Sequence, residues 1–256
     1  MRATTAAASL IGNRDENQDR YSVVNHEDIS FVAVVDGMGG HDAGARAAEV
    51  AVETFRNRLA SATRAAHDPR DAIKGLIRAA HSAVVAIGKN GPPESSPRAT
   101  CAVAIIQNGK ACFGHVGDSR AYLLRSGEVV TRTRDHSHIE ILLREQLITE
   151  EEYRTHPLRH YVEHSLGGDP GDASVTVSPL HTLEPGDQIL VCSDGVWNAF
   201  EDTEIASFLN RPEARLSPDP ALRDLIKKSV AKCAPSADNT TAALIQWQGL
   251  DGTDRS

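Results

Sequence analysis

Three apolar runs in this chain each end in an aspartate: FVAVVDG over 31–37, HVGD over 115–118 and QILVCSDG over 188–195. Runs of this length rich in β-branched residues read as buried strands, and a carboxylate directly after one lies at the rim of its sheet. One such ending is an ordinary turn signal. Asp36, Asp118 and Asp194, joined by Asp19 in NRDENQD and by Asp238-Asn239 in ADNTT, offer five aspartates that meet at one rim if their strands are neighbours. Carboxylates about 4 Å apart repel by several kcal/mol at an intermediate effective dielectric, so a fold that gathers five needs cations.

Oxygen-only ligand sets suit magnesium or manganese rather than zinc. Two such ions roughly 4 Å apart, bridged by one carboxylate, generate hydroxide from a shared water near neutral pH. Asp36 with the Gly37 carbonyl is the best bridging candidate, because the Asp-Gly step puts a side-chain and a main-chain oxygen on the same side. Arg14, near Asp19 in sequence, offers a guanidinium fork for phosphate oxygens. This chemistry points to phosphoester hydrolysis.

Composition bears on that reading through charge. The 27 Lys and Arg against 35 Asp and Glu give a net charge of −8, which argues against an electrostatic nucleic-acid binder. Bound cations would reverse the sign locally, so a phosphate substrate stays compatible with an acidic chain. Cys101, Cys112, Cys192 and Cys233 lie far apart without C-x-x-C spacing and read as free thiols in a reducing compartment. No apolar run approaches the roughly 18 residues of a membrane helix, and the N-terminal stretch lacks the apolar centre of a secretory signal. A cytoplasmic protein with no membrane partner is expected, with a monomer as the default.

The 256 residues, 40% of them hydrophobic, are enough for one domain with a sizeable core. Strands are expected near 21–25 and 31–37, followed by amphipathic helices over 43–60 and 69–87. The segment 89–98 breaks the pattern. Three β-like runs follow, ATCAVAIIQNG, KACFGHVGD and SRAYLLRSGEVVT, the first two joined by an Asn108-Gly109 hairpin turn. Residues 135–165, rich in His, Arg and Glu, carry the helical stretch HIEILLREQL and read as a surface excursion. Strands at ASVTVSPL and DQILVCSD, helices over 202–209 and 219–232 and a last strand TAALIQWQ complete the chain. Runs of strands interrupted by paired helices favour an α+β fold with antiparallel sheets, in one layered domain, over a doubly wound parallel sheet.

Other chemistries are excluded by their missing motifs. The C-x-x-x-x-x-R loop of cysteine-dependent phosphatases is absent, since the sixth residues after the cysteines are Gln107, Asp118, Asn198 and Asn239. Neither a P-loop, an H-E-x-x-H zinc motif nor a G-x-S-x-G elbow around Ser119 or Ser193 occurs. His136, His138, His156, His160 and His164 cluster in a polar segment and read as solvated surface.

NRDENQD, VVDGMGGHDAG, HVGDSRAYLLR, TRDHS, CSDGVW and DNTTA occur in the order found in bacterial PPM-type (type 2C) metal-dependent serine/threonine protein phosphatases, which the chain resembles from about residue 10 to 247. The resemblance implies a central antiparallel β-sandwich flanked by pairs of helices (α-β-β-α), with a binuclear Mn²⁺ or Mg²⁺ site in a cleft at one edge. It implies one catalytic domain over 1–256, with a mobile flap over about 135–165 that touches the substrate protein. Arg14 matches the phosphate-binding arginine, Asp36 and Gly37 the bridging pair, Asp194 and Asp238 ligands of the first ion, and Asp19 an acid near the second. Asp118 matches the ligand of a third, weaker site, and Asn239 is expected to orient the Asp238 loop.

The implied activity is hydrolysis of phosphoserine and phosphothreonine in proteins, opposing a bacterial serine/threonine kinase, with that kinase and its substrates as partners. Departures from the family pattern fall at Met38, where eukaryotic members commonly carry a histidine, at the PRATC strand entrance, and at His160 and His164 in the flap. Without a histidine at position 38, His41 or a metal-bound water is left as the leaving-group acid, and the water is favoured because it lies close to the metals. The competing reading is a non-catalytic member of the fold that binds phosphoprotein or another partner. Against it stands the retention of Asp36, Asp118, Asp194 and Asp238.

Overall fold

The computed structural model describes residues 2–26, 28–39, 41–61, 68–89, 96–168, 171 and 173–250. In chain order these form β1 (Arg2–Leu10), β2 (Asp19–Asn25), β3 (Ile29–Met38), α1 (His41–Ser61), α2 (Pro69–Gly88), β4 (Arg98–Gln107), β5 (Lys110–Val116), β6 (Arg120–Arg125) and β7 (Glu128–Arg132). Then come α3 (His138–Arg144), α4 (Glu150–Thr155), β8 (Leu166–Gly167), β9 (Thr176–Val177), β10 (His181–Thr182) and β11 (Gln188–Cys192). The chain ends with α5 (Asp194–Trp197), α6 (Asp202–Leu209), α7 (Pro212–Leu216), α8 (Pro218–Cys233) and β12 (Thr240–Gly249).

Two antiparallel sheets result. One runs β1-β12-β11-β6-β7, the other β10-β5-β4-β3-β2, with β8 pairing to β4 and β9 to β5. Alternation along the strands decides the layering, because successive side chains point to opposite faces. Val32 and Val34 of β3 and Ala102, Ala104 and Ile106 of β4 meet Leu123, Ile189, Val191, Ala243, Ile245 and Trp247 of the other sheet. The residues between them, Phe31, Ala33, Val35, Val103 and Ile105, face α1 and α2. On the opposite side Leu190, Ala242 and Leu244 pack on Ile205, Leu209, Leu222, Leu225 and Ile226 of α6 and α8. The molecule is therefore α-β-β-α, as the family resemblance implied, with three apolar layers between its four tiers.

Local signals hold where they were strong. Asn108 (φ 51°) and Gly109 (φ 70°) form the two-residue turn between β4 and β5, both in the left-handed region that such hairpins require. The run SRAYLLRSGEVVT is two strands, not one, because Ser126 (φ 53°) and Gly127 (φ 87°) make a second turn of the same kind. ASVTVSPL shrinks to the two residues of β9. The alanine-rich start forms β1, an edge strand that owes its register to β12 rather than to its own weak β propensity. All four cysteines are free and three are buried. Among the described residues no helix is long and apolar enough to cross a membrane.

The excursion over 135–165 is not all surface. Ile139, Glu140 and Tyr153 are buried, and His136 packs between His115 and His164 at ring separations of 4.3 and 5.5 Å. His136 Nδ1 accepts from the Gly117 amide and Nε2 lies 2.8 Å from the Thr176 hydroxyl, an arrangement for a neutral ring. Burial first, then the neighbouring His115 and His164, push its pKa down to about 3. The expectation of solvated surface fails for His136 because β5 and β9 cover it.

A histidine with a lowered folded pKa contributes stability that is intact above its unfolded pKa, near 6.5, and is lost as pH falls from there towards the folded value. The wild-type chain is thus expected to lose up to about 2 kcal/mol more stability between pH 7.5 and pH 5 than His136→Asn. Urea midpoints at the two pH values check this, and equal pH sensitivity of the two proteins would contradict it.

Candidate active site

Sheet pairing brings the predicted acids to one edge of the sandwich. Asp19 and Asp36 are direct cross-strand partners at the ends of β2 and β3. Asp118 follows β5, Asp194 follows β11 as the first residue of α5, and Asp238 precedes β12. With Arg14, Gly37, Met38 and Asn239, all of these except Asp19 line a cleft of about 870 Å³. Asp19 lies beneath it, 2% exposed.

The backbone around Asp36 depends on a close approach. A Cβ on Gly37 would strike the carbonyl oxygen of Gly44 in the first turn of α1, and one on Gly44 would lie 2.8 Å from the Gly37 carbonyl carbon. Two glycines therefore let α1 start directly against the end of β3. On the other sheet, Asn239 ties the Arg14 loop to the Asp238 loop. Its Oδ1 accepts from the Gln18 amide at 2.8 Å, and its Nδ2 donates to the carbonyls of Ile11 (2.8 Å) and Glu16 (2.9 Å). Asn239 thus does more than orient Asp238: it fixes the segment between Arg14 and Asp19.

The electrostatics are those of crowded like charges. Asp36 is pushed well above the usual carboxylate range, by burial first and then by Asp19, Asp194, Asp118 and Asp238. Asp118 is raised in the same way, by burial, Asp194 and Asp135. Burial raises Asp19 to about 7, although the Ser193 hydroxyl donates to its Oδ2 at 2.7 Å and opposes the rise. Arg14 Nη2 donates to Asp238 Oδ2 at 2.7 Å, and this contact raises the pKa of the arginine.

This donor set fits hard divalent cations. Asp19 Oδ1 and Asp194 Oδ1 are buried without a hydrogen-bond partner, and burial together with neighbouring aspartates disfavours the charged forms of Asp36 and Asp118, a cost that a bound cation would offset. Among the described residues, no group of three or more His, Cys, Asp or Glu side chains is by itself arranged to hold a metal ion. Backbone oxygen and water would have to complete any coordination sphere, which suits magnesium or manganese better than a closed zinc site.

His41 opens α1, but its side chain lies outside the described residues. The flap contributes Arg159, His160 and Val162 to the cleft wall, with His160 Nδ1 3.7 Å from Asp194 Oδ2. His160 is exposed, as its polar segment predicts, yet it faces the acids. Ser193, which lacks the elbow motif of a nucleophile, serves as a hydrogen-bond donor to Asp19. Its position beside Asp194 at a strand end was the available signal.

The family model described as Protein phosphatase 2C matches residues 7–229. The serine/threonine phosphatase Stp of Listeria welshimeri is 30% identical over 200 residues, which span 77% of this chain and 78% of that one. The structure of a Streptococcus agalactiae serine/threonine phosphatase superposes with a TM-score of 0.86 at 28% identity, covering 96% of this chain and 100% of that one. The catalytic domain of the serine/threonine protein phosphatase PstP, solved with two manganese ions, gives a TM-score of 0.79 at 27% identity over 96% of this chain and 99% of that one.

The crowding has a measurable consequence. A carboxylate whose folded pKa is raised destabilises the folded state at every pH above its unfolded pKa, so Asp36→Asn relieves that cost in the absence of metal. In EDTA at pH 7 the variant is expected to be more stable than wild type by about 1 kcal/mol or more, roughly 2–4 °C in melting temperature. Added manganese should raise the melting temperature of wild type and not of the variant. A lower melting temperature for Asp36→Asn in EDTA would show that the acids are not in conflict.

Proposed function

The chain belongs to the protein phosphatase 2C family and is a metal-dependent serine/threonine protein phosphatase, and from that premise we propose how its own residues divide the work. The observation that carries the reading is the convergence of Asp36, Asp118, Asp194 and Asp238 on one cleft with Arg14 at its wall. Asp36, the Gly37 carbonyl, Asp194 and Asp238 would hold the Mn²⁺ or Mg²⁺ ions, with Asp19 supporting them from below. Asp118 would serve a third, weaker position. When bound, the ions would supply activation of a water at neutral pH and neutralisation of phosphate charge.

Arg14 keeps its positive charge beside Asp238 and offers its guanidinium to the phosphate oxygens, orienting the phosphorus for in-line attack. Asn239 holds Arg14 and Asp238 in one frame, so that phosphate and nucleophile keep a fixed relation. Met38 lines the cleft where it can offer no proton, and the leaving serine or threonine oxygen takes its proton from water in the cleft, with His41 as the side-chain alternative. The flap over about 135–165 meets the protein part of the substrate. The residues 1–256 act as a single catalytic domain, as a monomer, reversing the action of a serine/threonine kinase.

The test is phosphate release from a phosphothreonine peptide. Release is expected with manganese and is abolished by EDTA and by Asp194→Asn. Arg14→Ala should lower kcat/KM about 10- to 100-fold, the worth of one or two charge-assisted hydrogen bonds. No release from any of several phosphopeptides by a chain that binds manganese would favour a partner-binding member of the fold, and an unchanged kcat/KM for Arg14→Ala would remove the arginine from the phosphate site.

A further inference from the structure

Behind the cleft wall lies a buried charge pair that the reaction does not use. Arg120, at the start of β6 and 5% exposed, donates from Nε and Nη2 to the two carboxylate oxygens of Asp135 at 2.8 and 2.7 Å. Asp135 is 6% exposed. A third group joins them from the flap. Tyr153, on α4, is itself buried; its hydroxyl donates to Asp135 Oδ2 at 2.7 Å and accepts from Arg120 Nη2 at 3.1 Å.

The pair is also tied to the acids. The Arg120 guanidinium lies 3.8 Å from the centre of the Trp197 ring, and Trp197 Nε1 donates to the Asp118 carbonyl at 3.0 Å. Trp197 belongs to α5, the helix that begins with Asp194. Through Arg120, one hydroxyl therefore links the flap to α5, which begins with Asp194 and touches Asp118.

The segment after Tyr153 has a second anchor at its far end. Glu163 donates its amide to the His136 carbonyl at 2.9 Å, and Val162 bridges to Ser137. Between the two anchors run residues 154–161, which carry Arg159 and His160 onto the cleft wall. We propose that Tyr153 is a positioning residue for substrate capture: its hydroxyl holds this wall at its working distance from the phosphate site. A buried ion pair is a costly way to gain stability and a good way to fix one arrangement, which accords with such a role. The inference rests on the proposed phosphoprotein phosphatase activity, because the wall would be preorganised for the residues flanking a phosphorylated side chain.

Tyr153→Phe keeps the ring and removes the tether. The amides of residues 154–156 and 158–161 are expected to exchange hydrogen at least three-fold faster, with sheet amides unchanged. In the manganese-loaded enzyme KM for a phosphothreonine peptide should rise three- to ten-fold while kcat stays within two-fold. Asp135→Asn reaches the same contact from the sheet side and should move exchange and KM in the same direction. Unchanged exchange, unchanged KM in an active enzyme, or a loss confined to kcat would overturn the proposal. Should the wild-type chain release no phosphate, exchange alone decides: faster exchange in Tyr153→Phe sustains the tether and unchanged exchange removes it.

Discussion

The gathering of five carboxylates at one edge, three of them buried, is the constraint around which this molecule is arranged. Asp19 and Asp36 face each other across a strand pair, and Asp118, Asp194 and Asp238 come to the same edge from other strands. Burial first, and then the neighbouring aspartates, raise the pKa values of Asp19, Asp36 and Asp118. Such a cluster persists only if the rest of the fold is stable enough to enforce it, and the three apolar layers of the sandwich provide that stability.

Enforcement is local as well as global. The Gly37–Gly44 contact sets α1 against the end of β3, the Ser193 hydroxyl holds Asp19, and Asn239 ties two loops that are more than two hundred residues apart in sequence. Each device places a polar group without adding charge. The positive groups, Arg14 beside Asp238 and Arg120 beside Asp135, sit at the margins, where they limit the repulsion without neutralising the centre. That leaves the centre free for cations, and it links the electrostatic problem of the fold to the chemistry proposed for it.

Much of this was legible in the sequence, for identifiable reasons. The strand-terminal aspartates, the helix periodicity of 43–60 and 69–87 and the Asn108-Gly109 turn are local signals, and all reappear in the structure. Elements made by partners were not legible. β1 is alanine-rich and takes its register from β12, and α5 has four residues whose SDGVW sequence resembles a turn. The roles of Tyr153 and His136 come from burial against β5 and β6, which no window along a polar, charged segment can reveal. His160 stands out in the sequence only as a departure from the family pattern, because its place at the cleft is set by where the flap lies.

The account turns on whether the gathered acids take up two cations. Anomalous diffraction from crystals of the wild-type chain grown with manganese measures this directly. The expected result is two strong manganese peaks in the cleft, both in contact with Asp36, with a weaker third beside Asp118. An intact fold with manganese in the crystal but no peak within reach of Asp36, Asp194 or Asp238 would contradict the account.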